Sequence, residues 1–176
     1  QHRGTVLLTG ATGTMGLPTL RRLLRHPDLF DVRVLSRTEP HDIRILSEFK
    51  GADNFSVVWG DLRNRRSVFR AVHGCTLVLH VGALVSPRAD AEPKLAMAVN
   101  AGGTRNLVDA VRENLDSHTV SRCGLVNIGT IAETGDRHPP IHWGRVGDPI
   151  KPSMFDYYAV SKSRAEREVI ESGLPT

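Results

Sequence analysis

The chain has 176 residues, a length that suits one domain with a sizeable core and is short for two. Hydrophobic residues make up 40% and charged residues 24%, which excludes disordered, collagenous and fibrous classes. With 23 Lys and Arg against 19 Asp and Glu the net charge is +4, a mildly basic balance that suits an anionic small ligand.

Along the chain, Thr5-Val6-Leu7-Leu8 is an apolar run that reads as a first strand. It ends in Thr9-Gly10 and gives way to a helical pattern with Leu17, Leu20, Leu23 and Leu24 on one face. Val32–Leu35, Phe55–Val58 and Leu77–His80 read as three further strands, each separated by enough chain for a helix or crossover. Pro93 to Glu113 is expected to be one long helix, since Pro suits a first turn and Leu95, Val99, Leu107, Val108 and Val111 recur at helical intervals. Gly124–Ile128 is a fifth strand. Gly129 to Asp156, rich in Gly, Pro and His, reads as a long functional loop, and a last helix runs from Tyr157 to about Ser172 before Gly173 and Pro175.

Short apolar strands alternating with helices predict an α/β fold with a doubly wound parallel sheet covered on both faces, a Rossmann fold. Residues 1–176 are expected to form one such domain, with later strands and a substrate lobe beyond Thr176. No apolar run approaches the roughly 18 to 20 residues of a membrane span, and Gln1-His2-Arg3 enters a strand without a secretory leader, so a cytoplasmic address without membrane contact is expected. Cys75 and Cys123 form no CxxC or Cys/His ladder and read as buried fillers. The arginines at 21, 22 and 25 and at 63, 65, 66 and 70 alternate with apolar residues and lack interleaved aromatics, so they read as solvated helix faces and not as a nucleic-acid surface. His138 and His142 are four apart in a Pro-rich loop with no third ligand of regular spacing, and no metal is expected.

Gly10, Gly13 and Gly16 lie between the first strand and first helix. A turn without Cβ atoms lets the backbone approach a pyrophosphate, whose charge meets free N–H groups and the helix dipole. An NAD site would place a carboxylate at the end of the second strand, but that place holds Ser36-Arg37. An Arg fork clasps a 2′-phosphate, which puts NADP ahead of NAD, while Glu39 and Asp42 keep NAD open. Tyr158 and Lys162, four apart at a helix start, point to one side of that helix. A phenol that titrates near 10 needs its anion stabilised before it can act as a base at neutral pH, and an ammonium nearby does this.

Together these segments resemble the short-chain dehydrogenases/reductases, and specifically the cofactor-binding part of the extended branch in the NAD(P)-dependent epimerase/dehydratase group. Thr9-Gly10-Ala11-Thr12-Gly13-Thr14-Met15-Gly16 resembles the family's TGxxGxxG loop, and the contacts implied there are Gly10, Thr12, Gly13, Met15 and Gly16. Asp61 stands where the family has an Asp that bonds the adenine amino group, with Leu62 as a neighbouring backbone contact; Asp after a strand is also a common helix cap. His80-Val81-Gly82-Ala83 resembles the HxAA segment, with Gly82 for Ala, and Asn100-Ala101-Gly102-Gly103-Thr104 resembles NVxGT, with Ala101 for Val. The resemblance thus assigns Gly82, Ala83 and Asn100 to the cofactor site alongside Ser36 and Arg37. It makes Thr130 the residue that holds a substrate oxygen, Tyr158 the proton donor and acceptor, and Lys162 its electrostatic activator and a cofactor contact. Gly129 replaces a first Ser and Thr134 the Tyr of a VYG segment, which leaves the substrate open.

The function implied is an NAD(P)-dependent epimerase, dehydratase or reductase acting on a sugar nucleotide or another small carbonyl or alcohol compound, as a homodimer. The alternative is a non-catalytic dinucleotide-sensing module, which would keep the glycine loop and need no Tyr158 or Lys162.

Overall fold

The computed structural model describes residues 3–135, 147 and 149–175. Five strands, β1 (Gly4–Thr9), β2 (Phe30–Ser36), β3 (Phe55–Trp59), β4 (Leu77–His80) and β5 (Gly124–Asn127), form one sheet in the order β3-β2-β1-β4-β5, all pairs parallel. The order reverses between β1 and β4, so a crevice opens at their carboxyl ends, beyond Thr9 and His80.

Successive β1 side chains point to opposite faces and seed two cores. Leu7 packs with Val68 and Val72 of α3 (Arg65–Val72), Leu107 and Val111 of α6 (Gly103–Asp116), and Val169 of α7 (Tyr157–Ile170). Leu8 packs with Leu20 of α1 (Gly16–Leu24), Leu46 of α2 (Pro40–Ser47), and Val32 and Val34. Leu7, Leu8, Leu20 and Leu107 are all 0% exposed, and each such burial contributes about 2 to 3 kcal/mol. The free cysteines Cys75 and Cys123 belong to the first core.

Polar side chains fix the helix ends. The Asn64 side chain accepts the Ser67 N–H at 3.0 Å and starts α3, and the Asp156 side chain accepts the Ala159 N–H at 2.8 Å and starts α7. At the other end of α3, Arg33 of β2 donates to the carbonyls of Ala71 and His73 at 2.8 and 2.7 Å, placing a cation on the negative end of the helix dipole.

The long helix expected over 93–113 is divided. After α4 (Arg88–Ala91) come α5 (Pro93–Ala96), a π-turn over Met97–Gly102, and α6. Close packing goes with the division: a Cβ on Gly103 would stand 2.9 Å from the Leu62 Cβ. The expected loop after β5 opens with a 3₁₀ turn, Ile131–Thr134, which Thr130 caps. His138 and His142 lie outside the described residues. Among the described residues no helix is long and apolar enough to cross a membrane, and no cluster of His, Cys, Asp or Glu could hold a metal.

Candidate active site

The crevice contains a cavity of about 700 Å³ walled by the glycine loop, the ends of β2 and β3, and the segment after β4. Gly10, Thr12, Gly13, Met15 and Gly16 line it, as do Ser36, Arg37, Asp61, Leu62, Gly82 and Ala83. The three loop glycines serve different ends. Gly10 has φ +70°, and a Cβ there would stand 2.6 Å from the Gly82 Cα; a Cβ on Gly16 would collide with the Gly10 carbonyl. These two hold the turn together. A Cβ on Gly13 would meet only the Gly10 carbonyl, at 3.4 Å. The fold places little demand on Gly13, whose bare Cα instead keeps a cradle open at the mouth of α1. That cradle and its helix terminus fit the pyrophosphate of a dinucleotide.

Beyond the carboxyl end of β2 the cavity takes a carboxylate from α2 and not from the strand end. Asp42 is 6% exposed, accepts the Thr12 hydroxyl at 2.7 Å, and stands 3.9 Å from the Arg37 guanidinium. It thereby joins the glycine loop to Arg37. Asp61 is held by the fork of Arg63, at 3.0 Å from Nε and 2.6 Å from Nη2, and this hydrogen-bonded pairing holds its carboxyl below the usual range. Arg63 is therefore part of the cavity rim, where the spacing suggested a solvated helix face.

Asn100 departs from its expected place. It is 1% exposed, and its side chain is committed to protein partners: it accepts the Leu84 N–H at 2.7 Å and donates to the Leu84 carbonyl and the Ser161 hydroxyl, both at 2.9 Å. It does not form the cavity wall but ties α7 to the segment after β4. Behind it lies His80, 2% exposed, between the hydroxyls of Thr9 at 2.7 Å and Thr104 at 2.9 Å. Thr104 gives its proton to the Asn100 carbonyl and so accepts from His80 Nε2–H, while Thr9 accepts the Gly82 N–H and gives its proton to Nδ1. Every donor has one acceptor, which fixes the tautomer. A buried line of hydrogen bonds therefore runs from the glycine turn to the helix that carries Tyr158.

Burial, and then the charge of Lys162, lowers the His80 pKa to about 3, so the ring stays neutral in the folded chain. The unfolded chain protonates near the ordinary value of 6.5, so stability is present above that pH and is lost as pH falls toward about 3. His80→Phe strands the Thr9 proton and enlarges the side chain. We expect it to lose about 2 to 3 kcal/mol in denaturant titrations at neutral pH and to flatten the acid limb of stability. An unchanged acid limb would show that His80 does not govern it.

Thr130 follows the end of β5, Tyr158 and Lys162 stand one turn apart at the start of α7, and none of the three is among the residues that wall the cavity. Thr130 enters the 3₁₀ turn as its cap, and its hydroxyl draws the Tyr158 phenol's pKa down. Burial outweighs this, and the charges of Glu133 and Asp156 add to it, so the phenol titrates above its usual value. Lys162 is 4% exposed and donates to the Ile128 carbonyl; burial lowers its pKa, while Glu133 and Glu166 hold it up. The lysine is thus anchored to the strand end. The Tyr158 phenol therefore keeps its proton at neutral pH. Sequence reasoning missed Glu133, although Thr130-Ile131-Ala132-Glu133 is a legible capping box.

Residues 7–173 match the model of the 3-beta hydroxysteroid dehydrogenase/isomerase family. The 3 beta-hydroxysteroid dehydrogenase type 7 of Mus musculus is 29% identical over 168 residues, covering 94% of this chain and 44% of that protein. A UDP-glucose 4-epimerase of Rickettsia rickettsii is 33% identical over 116 residues, covering 62% of this chain and 33% of that protein. Among solved structures, the Bordetella bronchiseptica enzyme WbmH in complex with NAD+ superposes with a TM-score of 0.80 at 23% identity, over 98% of this chain and 54% of that one, a likeness of fold. The chain spans about half or less of the length of these proteins.

Proposed function

The chain belongs to the 3-beta hydroxysteroid dehydrogenase/isomerase family, within the extended short-chain dehydrogenases/reductases, and from that premise we propose that it is the cofactor-binding and catalytic part of an NAD(P)-dependent oxidoreductase. The bound nicotinamide supplies or accepts a hydride. Tyr158 gives a proton to, or takes it from, the oxygen of a carbonyl or secondary alcohol, Thr130 holds that oxygen, and Lys162 stabilises the phenolate. The substrate is a sugar nucleotide or another small carbonyl or alcohol compound, in a cytoplasmic setting. The observation that supports this most is the bond from Lys162 Nζ to the Ile128 carbonyl, which brings the start of α7, with Tyr158, to the sheet edge where Thr130 follows β5. A dinucleotide sensor would have no use for Thr130, Tyr158 and Lys162. A homodimer is proposed on the face formed by the π-turn, α6 and α7, where Met97, Ala98 and Gly102 floor a groove flanked by Arg105 and Arg164.

NADP is the cofactor proposed. The Arg37 side chain is 54% exposed and touches Asp42 only at 3.9 Å, so its fork is free for a 2′-phosphate. Calorimetric titration of both cofactors should give tighter binding of NADP, and Arg37→Asp should weaken NADP about tenfold or more and narrow or reverse the ratio. Equal affinities in the native chain would remove Arg37 from the site.

A further inference from the structure

Glu133 stands three residues past Thr130, and its carboxylate reaches back to accept the Thr130 N–H at 3.1 Å. It is 5% exposed. Facing it is Glu166, one helical turn beyond Lys162 on α7. Gly129 lies between the two: a Cβ there would stand 2.8 Å from Glu166 Oε2 and 3.6 and 3.7 Å from the two Glu133 oxygens. Two carboxyl groups therefore converge over one bare Cα, with no side chain to part them. Both act on Lys162, which is buried beside them and whose Nζ is fixed on the Ile128 carbonyl.

Two carboxylates held together, that of Glu133 buried and that of Glu166 half-buried, repel strongly if both are ionised. One proton between them leaves a single negative charge, which matches the single positive charge of Lys162. We propose that Glu133 and Glu166 form a one-proton acid pair that serves as counter-ion to the Lys162 ammonium, with Glu133 a positioning residue for Lys162 and for the Thr130 backbone. The convergence of the pair is independent of the function proposed above; its consequence for turnover rests on the role proposed there for Lys162.

The titration directions agree. Burial, and then the hydrogen bond and charge of Glu166, push Glu133 up to about 8, against the Thr130 N–H and Lys162, which pull it down. Tyr158 feels the Glu133 charge from the same helix as Lys162, and His80 of β4 faces Lys162 and is neutral. A carboxyl with a raised folded pKa keeps a proton that the unfolded chain releases. Folding therefore weakens as pH climbs from about 4.5 to about 8, then levels.

Infrared titration tests this directly. The native chain should show a protonated-carboxyl C=O band at neutral pH that disappears near pH 8. Glu133→Gln and Glu166→Gln should each abolish that band and flatten the fall of melting temperature with rising pH; if one variant fails to fold, the other gives the same readings. The proposal is overturned if the native chain has no such band at neutral pH, or if the band and the melting slope survive both substitutions. These readings do not depend on activity, so a Tyr158→Phe variant with native turnover would sink the oxidoreductase proposal and leave the acid pair standing.

Discussion

In Tyr158→Phe, turnover should fall by about 10² to 10⁴ while cofactor affinity persists, because the change removes one oxygen and little volume. The loss is confined to the proton transfer. Burial pushes the phenol above its usual pKa, so at neutral pH it carries its proton, the form that the proposed donor to a carbonyl requires. Withdrawing a proton from an alcohol instead requires the phenolate, so the oxidative direction should quicken as pH rises. Lys162→Met removes the ammonium proposed to favour that anion. It should weaken both binding and turnover and move the oxidative limb to still higher pH. Steady-state kinetics of both variants across pH, in both directions, read the two roles separately. Near-native turnover in Tyr158→Phe would favour the dinucleotide-sensing alternative.

Gly13→Val should abolish dinucleotide binding, with a loss of about 10³ or more, and leave the circular dichroism spectrum nearly unchanged. The neighbouring glycines set the contrast. A side chain on Gly10 or Gly16 meets backbone, and Gly10 also has φ +70°, so Val at either position should damage the turn itself. A Cβ on Gly13 has only the Gly10 carbonyl to meet, at 3.4 Å, and the added methyl groups extend into the cradle. The same substitution three residues apart thus separates loss of ligand from loss of fold. Retained binding in a folded Gly13→Val chain would mean that the turn is only structural.

The strands were legible because each is a short apolar run, and β4 was bounded to the residue at Leu77–His80. Others extend by one or two residues, as β2 does to Phe30 and Ser36, while β5 stops at Asn127, one residue short of the expected Ile128, since register and hydrogen bonding with neighbours decide strand ends. The placement of the glycine loop between β1 and α1 was equally readable. Its division of labour was not: three glycines look alike in sequence, and only the path of Gly82 past Gly10 separates them. Asp42 was noticed as a nearby acid, but its bond to Thr12 depends on how α2 docks. Arg63 read as a helix face because spacing does not reveal that Asp61 lies within reach. The pairing of Glu133 with Glu166 joins a turn to a helix across Gly129, and no local pattern carries such information.

The π-turn at Met97–Gly102 works as a phase correction. An α-helix advances about 100° per residue, and a wide turn absorbs one residue more than the ordinary repeat. Before and within it, Leu95 and Val99 line the cavity; after it, Thr104, Leu107 and Val111 are fully buried against the sheet. Uninterrupted α geometry would aim one of these sets away from its target. Deleting one residue here would therefore rotate α5 about its axis rather than merely shorten it, swinging Leu95 off the cavity while the sheet contacts of α6 stay in step. In a lineage of such chains, a one-residue indel at this point is a means of reshaping the mouth of the cleft without recomposing the core.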